Sequence, residues 1–543
     1  MKAIVDIETD QIDATKIHCI VAKNYETGQT REWIGEDCKK FGEWSGKIDQ
    51  FIMHNGISFD APILNKFTNS RISPAQVRDT LLESQLYDPV RDGGHSLESW
   101  GERLGFPKGD FHDFRAFSQE MLNYCRKDVE LTNRLAKELE KESKTFSSRA
   151  YNLERDVRVI IDRQERNGFA FNLMEGQLLL AKLEDEQHSL EKQAEETFQP
   201  TEVKLKTKTK YIPFNIASRK QIAERLMEKG WEPSLYTEKD NVIINEAVLS
   251  KINMPEAEMF SRYFLLQKRT GLLKSWIKEC DEDLRVRGRV LTLKTITGRM
   301  AHHSPNMAQV PAVYSPYGKE CRSLWTVSNP ETHRLVGTDA SGLELRCLAH
   351  YINDAKFTNE VLTGDVHTAN MKAAGLSNRD QAKTFIYAFL YGAGPAKIGK
   401  VVGGNAKHGQ HLIAKFLKNM PALKKLRSNI QEAAQEGSIR GLDGRRLKIR
   451  SDHAALNTLL QGAGAIVCKQ WLVEMDKKVR KAGLDAKLVA SVHDEYQFEV
   501  AKSDIERFSK ITKEAIYTTQ KIFNFKCDLD SDYKVGNNWA ETH

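Results

Sequence analysis

The sequence predicts an α/β multidomain chain. Three features carry that prediction. The 543 residues exceed what one hydrophobic core organises, so roughly two to four domains are expected. Short apolar strands at 3–7, 17–22 and 335–338 alternate with long helical patterns. Carboxylates stand at strand ends (Asp6 and Glu8, Asp339, Asp494), where a sheet opens into a cleft.

Composition narrows the class. Hydrophobic residues make up 40% and charged residues 29%, which suits a globular chain and not a disordered one. The net charge of +7 permits a nucleic-acid partner without demanding one. The eight cysteines form no CxxC pair, so neither a zinc site nor a disulfide framework is indicated. Reduced thiols in a cytoplasm fit better. The N-terminus lacks an apolar signal core. No apolar run is long enough to span a membrane, so no membrane partner is expected.

In the first 145 or so residues, Asp6 and Glu8 are two apart on a strand and share a face. The stretch HNGISFDAP turns at Gly56, and Asp60 precedes a helix begun by Ala61 and Pro62. Tyr124 and Asp128 are four apart in a helical pattern and share a face. Asp6, Glu8, Asp60 and Asp128 would suffice to hold two divalent metals about 4 Å apart, the arrangement for in-line phosphodiester hydrolysis. Taken singly, Asp60 also reads as a helix cap and Asp128 as a solvated charge.

Residues from about 146 to 290 read as mostly helical, with helices at 153–163, 173–198, 218–231 and 257–278 and a break at Asn167-Gly168. In VKLKTKTKY, the lysines at 204, 206, 208 and 210 alternate, so an extended segment would show all four on one side. That side suits a DNA backbone, and equally a solvated edge strand.

The segment with Thr297-Gly298-Arg299 and PNMAQVP reads as a loop. A strand then ends at Asp339, and a helix follows whose first turn carries Glu344. Ser377 and Asp380 suggest a capping box. In the helix they open, Arg379, Lys383, Tyr387 and Tyr391 recur every four residues. Two cations and then two tyrosines on one stripe suit a polyphosphate, a sugar and a base. His367 in GDVHT is a lone histidine, which alone is more often structural. Finally, LVASVHDEYQFEV reads as a hairpin with His493, Asp494 and Glu495 at its tip. Adjacent carboxylates there suit a hard metal with oxygen ligands; the triplet alone also fits an ordinary acidic turn.

Taken in order, DIE, NGxxFD and YxxxD resemble the 3′–5′ proofreading exonuclease that accompanies family A DNA polymerases. TGR with PNMAQVP, DASGLELR, RDQAKTFIYAFLYG and VHDE resemble that family's polymerase motifs. The wording of SPYGKECR, LDGRR, HAALNTLLQ and NWAETH looks most like the replicative polymerases of podophages. The resemblance implies an RNase H-like 3′–5′ exonuclease domain over about 1–145 and a right-hand polymerase domain over about 146–543. The thumb would cover about 150–290, the palm about 291–352 and 441–543, and the fingers about 353–440.

Carried over by position, the resemblance makes Asp6, Glu8, Asp60 and Asp128 ligands of two magnesium ions, with Tyr124 orienting the attacking water. Asp339, Asp494 and the carbonyl of Ala340 would hold two more, with Glu495 beside them. His367, Arg379 and Lys383 would hold the incoming triphosphate, with Lys383 a candidate proton donor to pyrophosphate. Tyr387 would pack on the sugar and Tyr391 near the templating base. Glu344, paired with Tyr387, would bar a 2′-hydroxyl, which argues against a single-subunit RNA polymerase. Arg299 and Gln461 would read the minor groove, and His493 would touch the primer backbone. A nuclease-only or catalytically dead protein would not keep both carboxylate sets.

The implied activity is template-directed DNA synthesis with proofreading, replicating phage DNA in the cytoplasm of an infected bacterium. Expected partners are primer–template DNA, deoxynucleoside triphosphates, a replicative helicase-primase and a single-strand binding protein, with the polymerase itself a monomer. The best-known relatives carry a long thumb insertion that binds host thioredoxin. Only residues from about 201 to 213 lie where it would fall, so no thioredoxin dependence is expected. There is also no room before Met1 for a 5′-nuclease, so nick translation is not expected. Tyr387, where some relatives have phenylalanine, predicts poor discrimination against dideoxynucleotides.

Overall fold

The computed structural model describes residues 1–204, 209–364, 366–451 and 454–543. The chain divides into two compact units. The first holds Met1–Asn167, Arg289–His302 and Val336–Lys534; the second holds Gly168–Gly288, His303–Leu335 and Val535–His543.

In the first unit, β1 (Lys2–Thr9), β2 (Ile17–Asn24), β3 (Thr30–Ile34), β4 (Gln50–Met53) and β5 (Val77–Asp79) form a sheet in the order β3-β2-β1-β4-β5. β1 runs antiparallel to β2 and parallel to β4. Both faces of this central strand are covered, which is why it reads as a nearly continuous apolar run. Ala3, Val5 and Ile7 pack with Phe41 and Leu64 on one face. Ile4 packs on the other with Met121, Cys125 and Val129. Asp6 and Glu8 follow Ile4 at period two, so they point to the second face. The helix α1 (Asp60–Thr68) begins at Asp60 itself. α2 (Gln119–Ser143) is capped by Ser118, whose hydroxyl accepts from the Met121 N–H at 3.1 Å. α3 (Ser148–Asn167) is amphipathic, burying Leu153, Val157, Ile160 and Ile161.

A second sheet of this unit is built from β6 (His333–Ala340), β7 (Ala486–Val492), β8 (Glu495–Ala501) and β9 (Ser531–Gly536), in the order β7-β8-β6-β9. The same unit holds α4 (Leu343–Ile352), α5 (Arg379–Leu390) and the long α6 (Ala455–Ala482), which is buried nearly all round. α5 starts one residue from where the sequence placed its cap. Asn378, not Ser377, is the N-cap, accepting from the Asp380 and Gln381 N–H groups at 2.8 and 3.3 Å. Both residue types cap well, and the turn geometry decides between neighbours.

In the second unit the helices Leu173–Thr197 and Pro255–Lys278 accompany a three-stranded sheet, with Trp325 between Phe169, Phe171, Trp276 and Trp539. The lysine-rich stretch is not one extended segment. Strands Thr201–Lys204 and Thr209–Ile212 pair antiparallel, with Lys204 opposite Thr209 and Lys210 opposite Val203. Cross-strand partners share a face and successive residues alternate, so Lys204 and Lys210 point to opposite faces. Lys206 and Lys208 lie outside the described residues.

Candidate active sites

The first candidate site lies where β6 meets the β7–β8 hairpin. Val492 pairs with Glu495, leaving His493 and Asp494 as a two-residue tip, with His493 in the left-handed region at φ 59°. The Ala340 N–H donates to the Asp494 carbonyl at 3.2 Å. That bond sets the strand end with Asp339 beside the hairpin tip. The Asp339 carboxyl is pushed up to about 7, by loss of water and then by the charges of Asp494, Glu495 and Asp532. Asp339 is exposed as a whole residue, so its carboxyl stays open to solvent while three acidic neighbours repel its charged form. Glu495 is half-buried and accepts from Gln497 Nε2 at 2.5 Å.

A cleft of about 340 Å³ opens from this tip. Arg299, Glu344, Tyr391, Gln461, His493 and Asp494 all line it, so residues nearly 200 positions apart converge. The Tyr391 hydroxyl donates to Glu344 Oε2 at 3.0 Å. The sequence paired Glu344 with Tyr387; the bond is made by the tyrosine one turn further on. Burial pushes the Glu344 carboxyl up, and its Oε1 is buried without a partner.

α5 explains its own stripe. Ala382, Phe385, Ile386 and Phe389 face the core, leaving Arg379 and Lys383 exposed and Tyr387 half-buried on the other side. The Tyr387 and Tyr391 rings are 6.4 Å apart and nearly parallel. The His367 ring is 6.2 Å from Tyr387, and its Nδ1 is buried without a partner. Burial, then Arg379 and Lys383, hold His367 below its ordinary value. Asp339, Ala340, Glu495, His367, Arg379, Lys383 and Tyr387 do not line the cleft itself.

Sequence reasoning missed what lies beneath. Glu154 on α3 takes Lys469 at 2.8 Å and Arg445 at 2.7 Å, and Arg445 also pairs with Asp443 at 2.6 Å. Lys469 donates further to the Thr292 carbonyl at 2.8 Å. All four side chains are fully buried. Gly298, at φ +76°, lies so near that a Cβ there would meet Arg445 Nη1 at 2.9 Å. The network thus shapes the loop that presents Arg299. Arg445 stood within the quoted LDGRR, but nothing in the sequence named its partners.

The second candidate site lies between β1 and α2. Asp6 and Glu8 point at the helix that carries Tyr124, Cys125 and Asp128. Ligand atoms of Asp6, Glu8 and Cys125 all lie within 4.8 Å of one another. Asp60, 3% exposed, is the first residue of its helix, and Phe59 holds the N-cap position that the sequence offered to Asp60. Asp128, also 3% exposed, pairs with Lys108 at 3.0 Å through Oδ2, while its Oδ1 is buried without a partner. Lys108 Nζ is 5.0 Å from the Tyr124 ring centre. Burial and then Asp128 push Asp6 up to about 8, and burial and then Asp6 push Glu8 up to about 10. Asp60 is raised well above its ordinary value by burial and Asp6. Asp128 is raised by burial, with Lys108 opposing. Burial raises all four carboxyls, and neighbouring carboxylates raise Asp6, Glu8 and Asp60 further, which is a poor arrangement unless cations join them. An oxygen-rich donor set with one unpartnered oxygen fits magnesium. Lys108 and Cys125 were missed: Lys108 stands in no periodic segment, and Cys125 reads as an ordinary core residue.

A sheet brings two strand-end carboxylates together, and a helix of the same unit has a free face that is cationic and then aromatic, an arrangement suited to phosphoryl transfer on a polyanion. The comparisons give the family. The model of DNA polymerase family A matches residues 183–541. The DNA-directed DNA polymerase of Enterobacteria phage T3 is 31% identical over 713 aligned residues, covering 99% of this chain and 100% of that one. That of Escherichia phage T7 is 31% identical over 709, again covering 99% and 100%. A solved POL domain of Pol1 from M. smegmatis, in complex with DNA primer-template and dNTP, shares the fold at a TM-score of 0.82. It is 18% identical, with 99% of this chain and 95% of that one covered. The chain belongs to DNA polymerase family A.

Proposed function

We propose that this protein extends a DNA primer on a DNA template from deoxynucleoside triphosphates, and that its N-terminal sheet is an RNase H-like 3′–5′ exonuclease that removes mispaired ends. The observation carrying the reading is that one chain holds two separate acidic centres, each assembled from distant segments. The T3 and T7 relatives, both DNA-directed DNA polymerases, support the synthetic half.

At the synthetic centre Asp339, Asp494 and the Ala340 carbonyl would hold two magnesium ions, which would supply charge neutralisation at phosphorus. The primer 3′-hydroxyl attacks the α-phosphorus in line and pyrophosphate leaves. Arg379, Lys383 and His367 bind the triphosphate, and Lys383 gives a proton to the leaving pyrophosphate. Tyr387 packs on the sugar and admits a dideoxynucleotide. Glu344 fills the space a 2′-hydroxyl would need, and its bond to Tyr391 fixes that side chain. Arg299, Gln461 and His493 grip the primer terminus, and Glu495 steadies the tip. At the hydrolytic centre Asp6, Glu8, Asp60 and Asp128 would hold two further ions, and Tyr124 would orient the water. The protein works as a monomer in the cytoplasm of an infected bacterium, with a helicase-primase and a single-strand binding protein. Among the described residues no helix is long and apolar enough to cross a membrane.

The test is extension of a labelled primer–template with magnesium, using wild type, Asp494→Ala and Asp6→Ala. Wild type extends with nucleotides and degrades without them; Asp494→Ala only degrades; Asp6→Ala only extends. Extension by Asp494→Ala would remove the hairpin from the chemistry.

A further inference from the structure

Lys108 belongs to no motif, yet it sits in the hydrolytic centre. Among the described residues it is the one cation ion-paired with any of Asp6, Glu8, Asp60 and Asp128. The surrounding stretch, 107–117, has neither helix nor strand but is firmly held. Phe111 and Phe114 pack on Tyr124 at 5.7 and 6.3 Å between ring centres. The Phe114 carbonyl bonds His18 Nε2 of β2 at 2.9 Å. A Cβ on Gly109 would meet the Tyr124 ring at 3.0 Å, so the backbone next to Lys108 lies against that ring.

A structural ion pair would be the plain account of Lys108. Two observations go further. The lysine side chain keeps 27% exposure, so a ligand can reach it, whereas its partner Asp128 keeps 5%. The ammonium is also 3.0 Å from Asp128 and 5.0 Å from the centre of the Tyr124 ring, so it touches two members of the candidate site at once. Resting on the exonuclease reading above, we propose that Lys108 is a further catalytic residue, its ammonium binding a non-bridging oxygen of the scissile phosphodiester.

The chemistry asks for such a group. A DNA 3′ end is a polyanion approaching four carboxylates. In hydrolysis the water oxygen bonds to phosphorus and the bond from phosphorus to the 3′-oxygen breaks. The water loses a proton, and the departing 3′-oxygen takes one up. Negative charge is spread over the phosphoryl oxygens in between. A lysine is a point charge on a flexible four-carbon stem, able to move from Asp128 to a phosphate without leaving its place on the backbone. Lys108 keeps its proton throughout.

The test measures excision of single-stranded DNA from the 3′ end by the full chain, with Asp6→Ala as the inactive reference. Lys108→Ala and Lys108→Met are expected to slow excision at least about tenfold, in line with the loss of one charge-stabilising donor. The loss falls on turnover at saturating DNA, Lys108→Arg restores most of it, and primer extension and melting temperature stay at wild-type values. Unchanged excision in Lys108→Ala overturns the proposal. So does excision that needs less magnesium than wild type, since the lysine would then only compete with the metal. A loss accompanied by a lower melting temperature, or one that arginine does not rescue, makes the role structural and also overturns it. If wild type excises no more than Asp6→Ala, the exonuclease reading itself fails, and the proposal with it.

Discussion

Glu344 makes one hydrogen bond and leaves one oxygen bare. Its Oε2 accepts from Tyr391, while Oε1 is buried with no partner among the described residues. A half-satisfied acid in a cleft is costly, which suggests that it is kept for what it excludes. Glu344→Ala should therefore lower discrimination against ribonucleotides by at least roughly tenfold, because rejection by a filled polar site is lost. Deoxynucleotide insertion should slow as well, since Tyr391 loses its acceptor. Single-nucleotide insertion kinetics with matched ribo- and deoxynucleotides read both effects; an unchanged ratio sinks the gate. A second residue-scale prediction concerns acidity. Asp6 is raised from 3.8 to about 8, by burial and then by Asp128. A carboxyl raised on folding favours the folded state fully below its unfolded value, and that contribution is lost as pH rises through the folded one. Without divalent metal, the melting temperature should fall between about pH 4 and pH 8. Asp6→Asn, which carries no charge at either end, should flatten that slope; an equal slope in wild type and variant contradicts it.

Elements differ in how well they announced themselves. β1, α5 and the β7–β8 hairpin were legible because each has a clean period: apolar residues in β1, a four-residue stripe on α5, alternation in β8. Asp60 was legible through its neighbours Ala61 and Pro62, which mark a first helical turn. What stayed hidden was pairing over long separations. Glu154 meets residues 291 and 315 positions away, and no periodicity in α3 sets it apart from the helix's other acids. The antiparallel pairing of Thr201–Lys204 with Thr209–Ile212 was hidden because alternating lysine and threonine fit one extended strand as well as two paired ones. α3 is where the hidden part matters most. It carries Glu154 beneath the cleft, and its Asp162 accepts from Ser58 at 2.8 Å, two residues before Asp60. Removing one partner from a buried ionic network leaves the others uncompensated, at a cost of about 3–5 kcal/mol. Glu154→Gln should lose that much in guanidinium unfolding, with extension falling because the loop at Gly298-Arg299 loosens. A loss under about 1 kcal/mol would mean that the network is solvated and does not support the loop.

At the scale of the whole molecule, length carries information. The alignment to the T3 polymerase spans 713 positions. This chain has 543 residues, so at least 170 of those positions, 713 less 543, fall opposite gaps in it. The family match still spans residues 183–541, so we propose that the gaps fall in accessory segments. One such accessory would be a thumb segment able to hold a processivity partner. Where the sequence reading expects it stand two four-residue strands, Thr201–Lys204 and Thr209–Ile212. A protein partner that stays bound through many catalytic cycles needs an interface of about 1,000 Å² or more, and so short a hairpin offers only a fraction of that. Bacterial thioredoxin should leave the length of products from a singly primed long template unchanged. Deleting the hairpin, if it is only a local DNA contact, should shorten products modestly and more so at higher salt, because a phosphate contact is screened. A several-fold gain in product length on adding thioredoxin would instead mean that the partner grips another surface, and that the shortened thumb says nothing about processivity.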